Sequence, residues 1–184
     1  MSPAVSPAEV FESLAAQLAA FQALLLAASG LHKLTARART REVVREFAGV
    51  PRALAPFAAI AAAAAEIAAA GLLVTPTYRA AGGLLALFIW GGYLGLILRA
   101  IARGRRDVDC GCTFGAARRP LGAYAVTRNA GLAAMALLTS LDFARSAAQS
   151  IGGPQILAAL ALLALYVALD QAMALVPPRA GELL

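Results

Sequence analysis

The sequence predicts an all-α fold: a polytopic membrane helical bundle of about five transmembrane helices, forming a single integral membrane domain over residues 1–184. Three observations carry that prediction. Hydrophobic residues make up 61% of the chain and charged residues only 14%, where a soluble domain carries about 25% charge. The mean hydropathy is +0.74, so much of the surface is expected to be solvated by lipid. Long uncharged runs alternate with arginine clusters, which is the pattern of membrane spans and their loops.

Five apolar segments follow in order, at about 14–31, 54–74, 80–98, 126–143 and 156–176. Each approaches the roughly 20 residues that cross the hydrocarbon layer as a helix, and a helix is required because lipid satisfies no open backbone group. The second segment follows Gly49 and Pro51, and Thr75 with Pro76 parts it from the third. The fourth is the weakest, since Arg128 and Asn129 fall in its first turn, a place from which the long side chain of Arg128 can snorkel to the headgroups. The fifth opens at Pro154 after Gly152 and Gly153 and closes at Pro177 and Pro178. Between the first two spans, "TREVVREFAGVP" sets Val43, Val44, Phe47 and Val50 at helical spacing against Arg41, Glu42, Arg45 and Glu46. It reads equally as a short interfacial amphipathic helix or as a solvated connector.

The 16 Lys and Arg exceed the 10 Asp and Glu. That excess flanks apolar segments and forms no basic face with interleaved aromatics, so nucleic acid is excluded as a partner and the lipid bilayer is the expected one. With five spans, 14 of the 16 basic residues fall on one side, leaving Arg79 and Arg145 on the other. The positive-inside rule makes the 14-charge side cytoplasmic, with the N-terminus periplasmic and the C-terminus inside. No Lys or Arg occurs in the first 31 residues. A cleavable signal peptide needs a basic leading region, so the first span is expected to stay in the mature protein.

The only two cysteines, Cys110 and Cys112, share the loop "DVDCGCTFG" after the third span. Gly111 permits the tight bend that a disulfide between them needs, and the small strained ring is labile, suited to exchange with another thiol pair. Arg105 and Arg106 favour thiolate whereas Asp107 and Asp109 oppose it, so the sequence leaves their nucleophilicity open. A metal site is the second reading, with His32 and Asp109 joining the two thiols, but a structural zinc signature needs a second close cysteine pair. The third reading is two inert thiols. A side-by-side pair in a polar loop serves no packing purpose, which favours redox exchange.

Glu66 and Asp170 lie within apolar segments and are expected to face the bundle interior, since an ionised carboxylate facing lipid is costly. Glu66 reads either as a proton acceptor coupled to redox chemistry, or a polar wall for a quinone head group, or as one end of an interhelical hydrogen bond. For Asp170 the hydrogen bond is favoured. Gly91 and Gly95 in "WGGYLG", four residues apart, suggest a close helix contact.

Taken together, "SGLHKL", Glu66, "ARGRRDVDCGCTFG", "RRPLGAY" and "TRNAGLAAMALL" resemble the MauE family of methylamine-utilisation membrane proteins, within the wider DoxX-like group, over about residues 14–141. The resemblance implies a four-helix DoxX-like core plus one C-terminal helix in a bacterial inner membrane. It implies a role in maturing periplasmic methylamine dehydrogenase, whose disulfide-rich small subunit carries a quinone cofactor built from its own tryptophans, alongside a thioredoxin-like maturation protein. The matching positions are Cys110 and Cys112, then His32, Lys33, Glu66, Arg128 and Asn129. The resemblance equally allows a thiol:quinone oxidoreductase of DoxX-like type, which would use a quinone, or a non-redox export scaffold or transporter. Cysteines on the cytoplasmic side cannot directly oxidise a periplasmic client, because roughly 30 Å of hydrocarbon intervenes. A quinone or another subunit would have to complete the electron path.

Overall fold

Helix punctuation in the sequence becomes helix ends in the structure, a computed structural model that describes residues 6–105, 121–141 and 151–175. Among these residues six α-helices run in order: α1 Pro7–Thr35, α2 Arg37–Ala48, α3 Ala55–Val74, α4 Arg79–Ala102, α5 Ala123–Leu141 and α6 Gly153–Leu175, with a 3-10 turn at Pro76–Tyr78. No strand occurs among the described residues. The connector between the first two spans is therefore helical. Gly49 ends α2 in the left-handed region at φ 72, donating its N–H to the Arg45 carbonyl while Val50 reaches back to Val44; glycine adopts this conformation without the steric cost of a Cβ. Pro56 opens α3, and Thr75, extended ahead of Pro76, closes it.

The chain is a polytopic helical membrane protein. Four helices among the described residues are long and apolar enough to cross a membrane, at Glu12–Thr35, Ala55–Val74, Pro76–Ala102 and Gly153–Met173. The remaining long helix, α5, is not among them, since Arg128, Asn129 and two threonines dilute its apolar run. Its 19 residues nevertheless extend about 28 Å at 1.5 Å per residue, close to the hydrocarbon thickness. It also runs antiparallel to α4. Leu121, Ala125 and Val126 pack with Ile97 and Ala100 at one end, and Ser140 lies against Gly83 at the other.

Lipid offers no hydrophobic force to press helices together, so small residues that admit close backbone approach dominate the contacts. Ala16, Ala19, Ala63, Ala69, Ala86 and Ala136 are all buried. A Cβ on Gly30 would stand 2.8 Å from Ile67, one on Gly82 2.6 Å from the Leu73 nitrogen, and one on Gly83 2.8 Å from the Ser140 nitrogen. Gly91 and Gly95, expected to mark such a contact, face open space instead. The glycines that seat the neighbouring helices lie two turns earlier on α4. The last helix, α6, meets the bundle through Ala159 and an edge-on contact of Tyr166 with Phe21, and leaves Leu157 and Leu165 exposed.

One end of the bundle gathers the C-terminal ends of α1, α4 and α6, the N-terminal ends of α3 and α5, and all of α2. It carries every described Lys and Arg except Arg79. Arg79, counted from sequence as a topology-setting charge, is fully buried at the opposite end and donates its Nε–H to the Leu73 carbonyl. Among the described residues, therefore, no Lys or Arg at the opposite end is exposed.

Candidate functional site

Ser29 and Lys33 stand one helical turn apart on α1, so their side chains share a face. That face meets α3 where Gly30 allows close approach, its absent Cβ lying 3.4 Å from the Cβ of Glu66. Lys33 Nζ donates to Ser29 Oγ at 2.7 Å and to both carboxylate oxygens of Glu66 at 2.8 and 2.9 Å. An ammonium has three donors, and all three are used. From α4, the Tyr93 hydroxyl donates to Glu66 Oε1 at 2.6 Å, and its ring centroid lies 5.4 Å from Lys33 Nζ. Glu66 is fully buried and the Lys33 side chain 10% exposed.

Three helices are thus tied by one charge-neutral cluster. A lone carboxylate inside the bundle would be strongly unfavourable, and its pairing with a saturated ammonium and a phenol is what makes the position tolerable. A cleft of about 60 Å³ adjoins the cluster between α1, α2 and α4. Lys33, Thr40 and Tyr93 give it polar edges, and Val43, Phe47 and Leu96 its apolar walls. Thr40 holds α2 in place by donating to the carbonyls of Lys33 and Ala36 at 3.3 and 3.1 Å.

Two further polar groups cross-link the bundle. Trp90 Nε1 donates to Gln22 Oε1 at 3.2 Å, and Gln22 Nε2 donates to Thr139 Oγ1 at 3.4 Å, which joins α4, α1 and α5 through buried side chains. Near the basic end, Arg128 on α5 pairs with Asp170 on α6 at 3.0 Å, and the Tyr124 hydroxyl donates to the same Asp170 oxygen at 3.3 Å. Arg128 therefore does not snorkel to the headgroups. A carboxylate within reach on α6 pairs with the guanidinium inside the bundle, and Asp170 makes the interhelical bond expected of it. Asn129, also buried, donates Nδ2–H to the Ala125 carbonyl, and its Oδ1 has no hydrogen-bond partner among the described residues.

Of the residues singled out from sequence, Lys33 and Glu66 are brought together, and Arg128 meets Asp170. His32 is exposed in the last turn of α1, beside Lys33 but outside its cluster. Cys110, Cys112 and Asp109 lie outside the described residues, and with them the redox and metal readings. Arg105 and Leu121, which bracket them in the chain, are both at the basic end, where Leu121 packs with Phe47, Ile97 and Ala100. Ser29, Tyr93 and Tyr124 were missed. The four-residue spacing of Ser29 and Lys33 was the available signal for the first; for the tyrosines nothing in the sequence reports which helix they face.

The sequence profile of the family described as Methylamine utilisation protein MauE matches residues 11–142. The chain is 32% identical over 154 residues to Methylamine utilization protein MauE of Paracoccus denitrificans, covering 80% of each chain. It is 33% identical over 120 residues to the protein of the same name from Paracoccus versutus, covering 65% of this chain and 64% of that one. No solved structure matches the chain significantly. The match takes in α1 through α5 nearly whole, with Lys33, Glu66, Tyr93 and both cysteines inside it, and on that ground the chain belongs to the MauE family of methylamine utilisation proteins.

Proposed function

We propose that the protein is a membrane accessory to the maturation of methylamine dehydrogenase, handling disulfides or electrons for its small subunit through Cys110 and Cys112. The observation that carries this reading is the family match across residues 11–142, which contains the cysteine loop. The thiol chemistry balances as exchange. On the cytoplasmic side, a thiol of a dithiol partner attacks the Cys110–Cys112 disulfide to form a mixed disulfide; the partner's second thiol displaces it, leaving an oxidised partner and a reduced pair. The two electrons gained then pass to a quinone or another subunit, and a thioredoxin-like maturation protein is the expected exchange partner. The Lys33–Glu66–Tyr93 cluster ties α1 and α3 to α4, the helix that precedes the cysteine loop in the chain.

The protein resides in the bacterial inner membrane, with the N-terminus periplasmic and the cysteine loop cytoplasmic. Four candidate spans and an α5 of about hydrocarbon length support this threading, as does the clustering of described basic residues at one end. A Cys112→Ser variant, whose remaining thiol can attack a partner disulfide but cannot resolve the product, is expected to accumulate a mixed disulfide with a partner. Full dehydrogenase maturation in cells carrying Cys110→Ala/Cys112→Ala would overturn the redox role and leave a non-redox scaffold for export.

A further inference from the structure

We propose that the groove between α1, α2 and α3 at the basic end seats the headgroup of an anionic phospholipid. The groove is lined by Lys33, Leu34, Arg37 and Arg41 on one side and by Pro56, Ala59 and Ile60 on the other. Arg37 and Arg41 are four residues apart, so both fall on one face of α2. Lys33 is already committed to Glu66 and Ser29. Arg37 donates only its Nε–H, to the Leu34 carbonyl at 3.0 Å, which leaves its terminal amino groups unpartnered among the described residues. Arg41 has neither a hydrogen bond nor an ion pair among them. Arg45, by contrast, turns to Glu42 at 3.0 Å. Glu42 therefore neutralises Arg45 and not the groove.

A guanidinium pair is the fork geometry that phosphate oxygens accept best. What makes the ligand a lipid is the opposite wall. Ile60 is 53% exposed and Phe57, one residue beyond Pro56, is 71% exposed, so the apolar side of the groove continues onto the lipid-facing surface of α3, where acyl chains lie. A basic pocket between helices at a membrane surface is the arrangement that captures acidic headgroups.

Native mass spectrometry of the full chain, released from vesicles in which phosphatidylcholine exceeds phosphatidylglycerol, tests the proposal. The wild-type chain is expected to retain phosphatidylglycerol selectively. Arg37→Gln/Arg41→Gln is expected to lower that retention about tenfold, since each basic residue near an anionic surface contributes a few-fold. Arg103→Gln/Arg105→Gln removes equal charge from the same end outside the groove and should leave retention unchanged; equal loss in both pairs would overturn the site. Arg37→Lys/Arg41→Lys, with helix content checked by circular dichroism, should retain part of the binding. Displacement of the lipid by millimolar inorganic phosphate would assign the groove to a free anion and overturn the lipid, as would an absence of selective retention in the wild type, which would leave the groove to an acidic segment of another protein.

Discussion

Lys33 and Glu66, 33 residues apart in sequence, close a buried ion pair at 2.8 Å between the last turn of α1 and the middle of α3. Lys33 sits close enough to its helix end to be read as a topology-setting charge. Its side chain instead runs inward to neutralise a carboxylate that lipid would reject, and Tyr93 completes the shell. An uncharged α3 would need none of this, so the pair fixes which face of each helix meets the other.

Removing one partner should therefore cost far more than removing both. Glu66→Ala strands the Lys33 ammonium inside the bundle and is expected to lower stability by about 3–5 kcal/mol. The double variant Lys33→Met/Glu66→Leu, apolar at both positions, should recover most of that loss. Unfolding of the purified variants in a single detergent measures the coupling; additive losses would show that the two side chains do not act as a pair.

Glycine substitutions should separate packed from lipid-facing backbone on one helix. Alanine is the better helix former by about 1 kcal/mol, so Gly91→Ala and Gly95→Ala, which meet open space, should be neutral to stabilising. Gly83→Ala places a Cβ 2.8 Å from the Ser140 nitrogen and should destabilise by about 1–3 kcal/mol as α5 is pushed away. Thermal unfolding in the same detergent decides it, and a neutral Gly83→Ala would mean that α4 and α5 are not closely packed there.

The fold was legible because its signals are local. Apolar runs, prolines and glycines set α3 almost to the residue and the start of α6 to within three residues, while the spacing of Val43, Val44 and Phe47 gave the helix of α2 as one of two equal readings. α1 and α4 run longer than their apolar cores because their end turns continue the helix through polar residues such as Glu12 and Arg99. The inward orientation of Glu66 and Asp170 was equally legible, since burial with a partner is the tolerable state of a carboxylate in lipid. Their partners were not. Helical periodicity assigns a residue to a face of its own helix but does not say which helix covers that face. The same blindness made Gly91 and Gly95 look like the contact when Gly82 and Gly83 form it, and sent Arg128 to the headgroups when Asp170, 42 residues later, holds it.

Threading decides what Cys110 and Cys112 can reach, and it is measured most directly by labelling them in intact cells with a membrane-impermeant maleimide after mild reduction. With the basic end in the cytoplasm, the thiols should stay unmodified until the membrane is permeabilised and then react. Ready labelling from outside unbroken cells would reverse the bundle and place the cysteine loop in the periplasm.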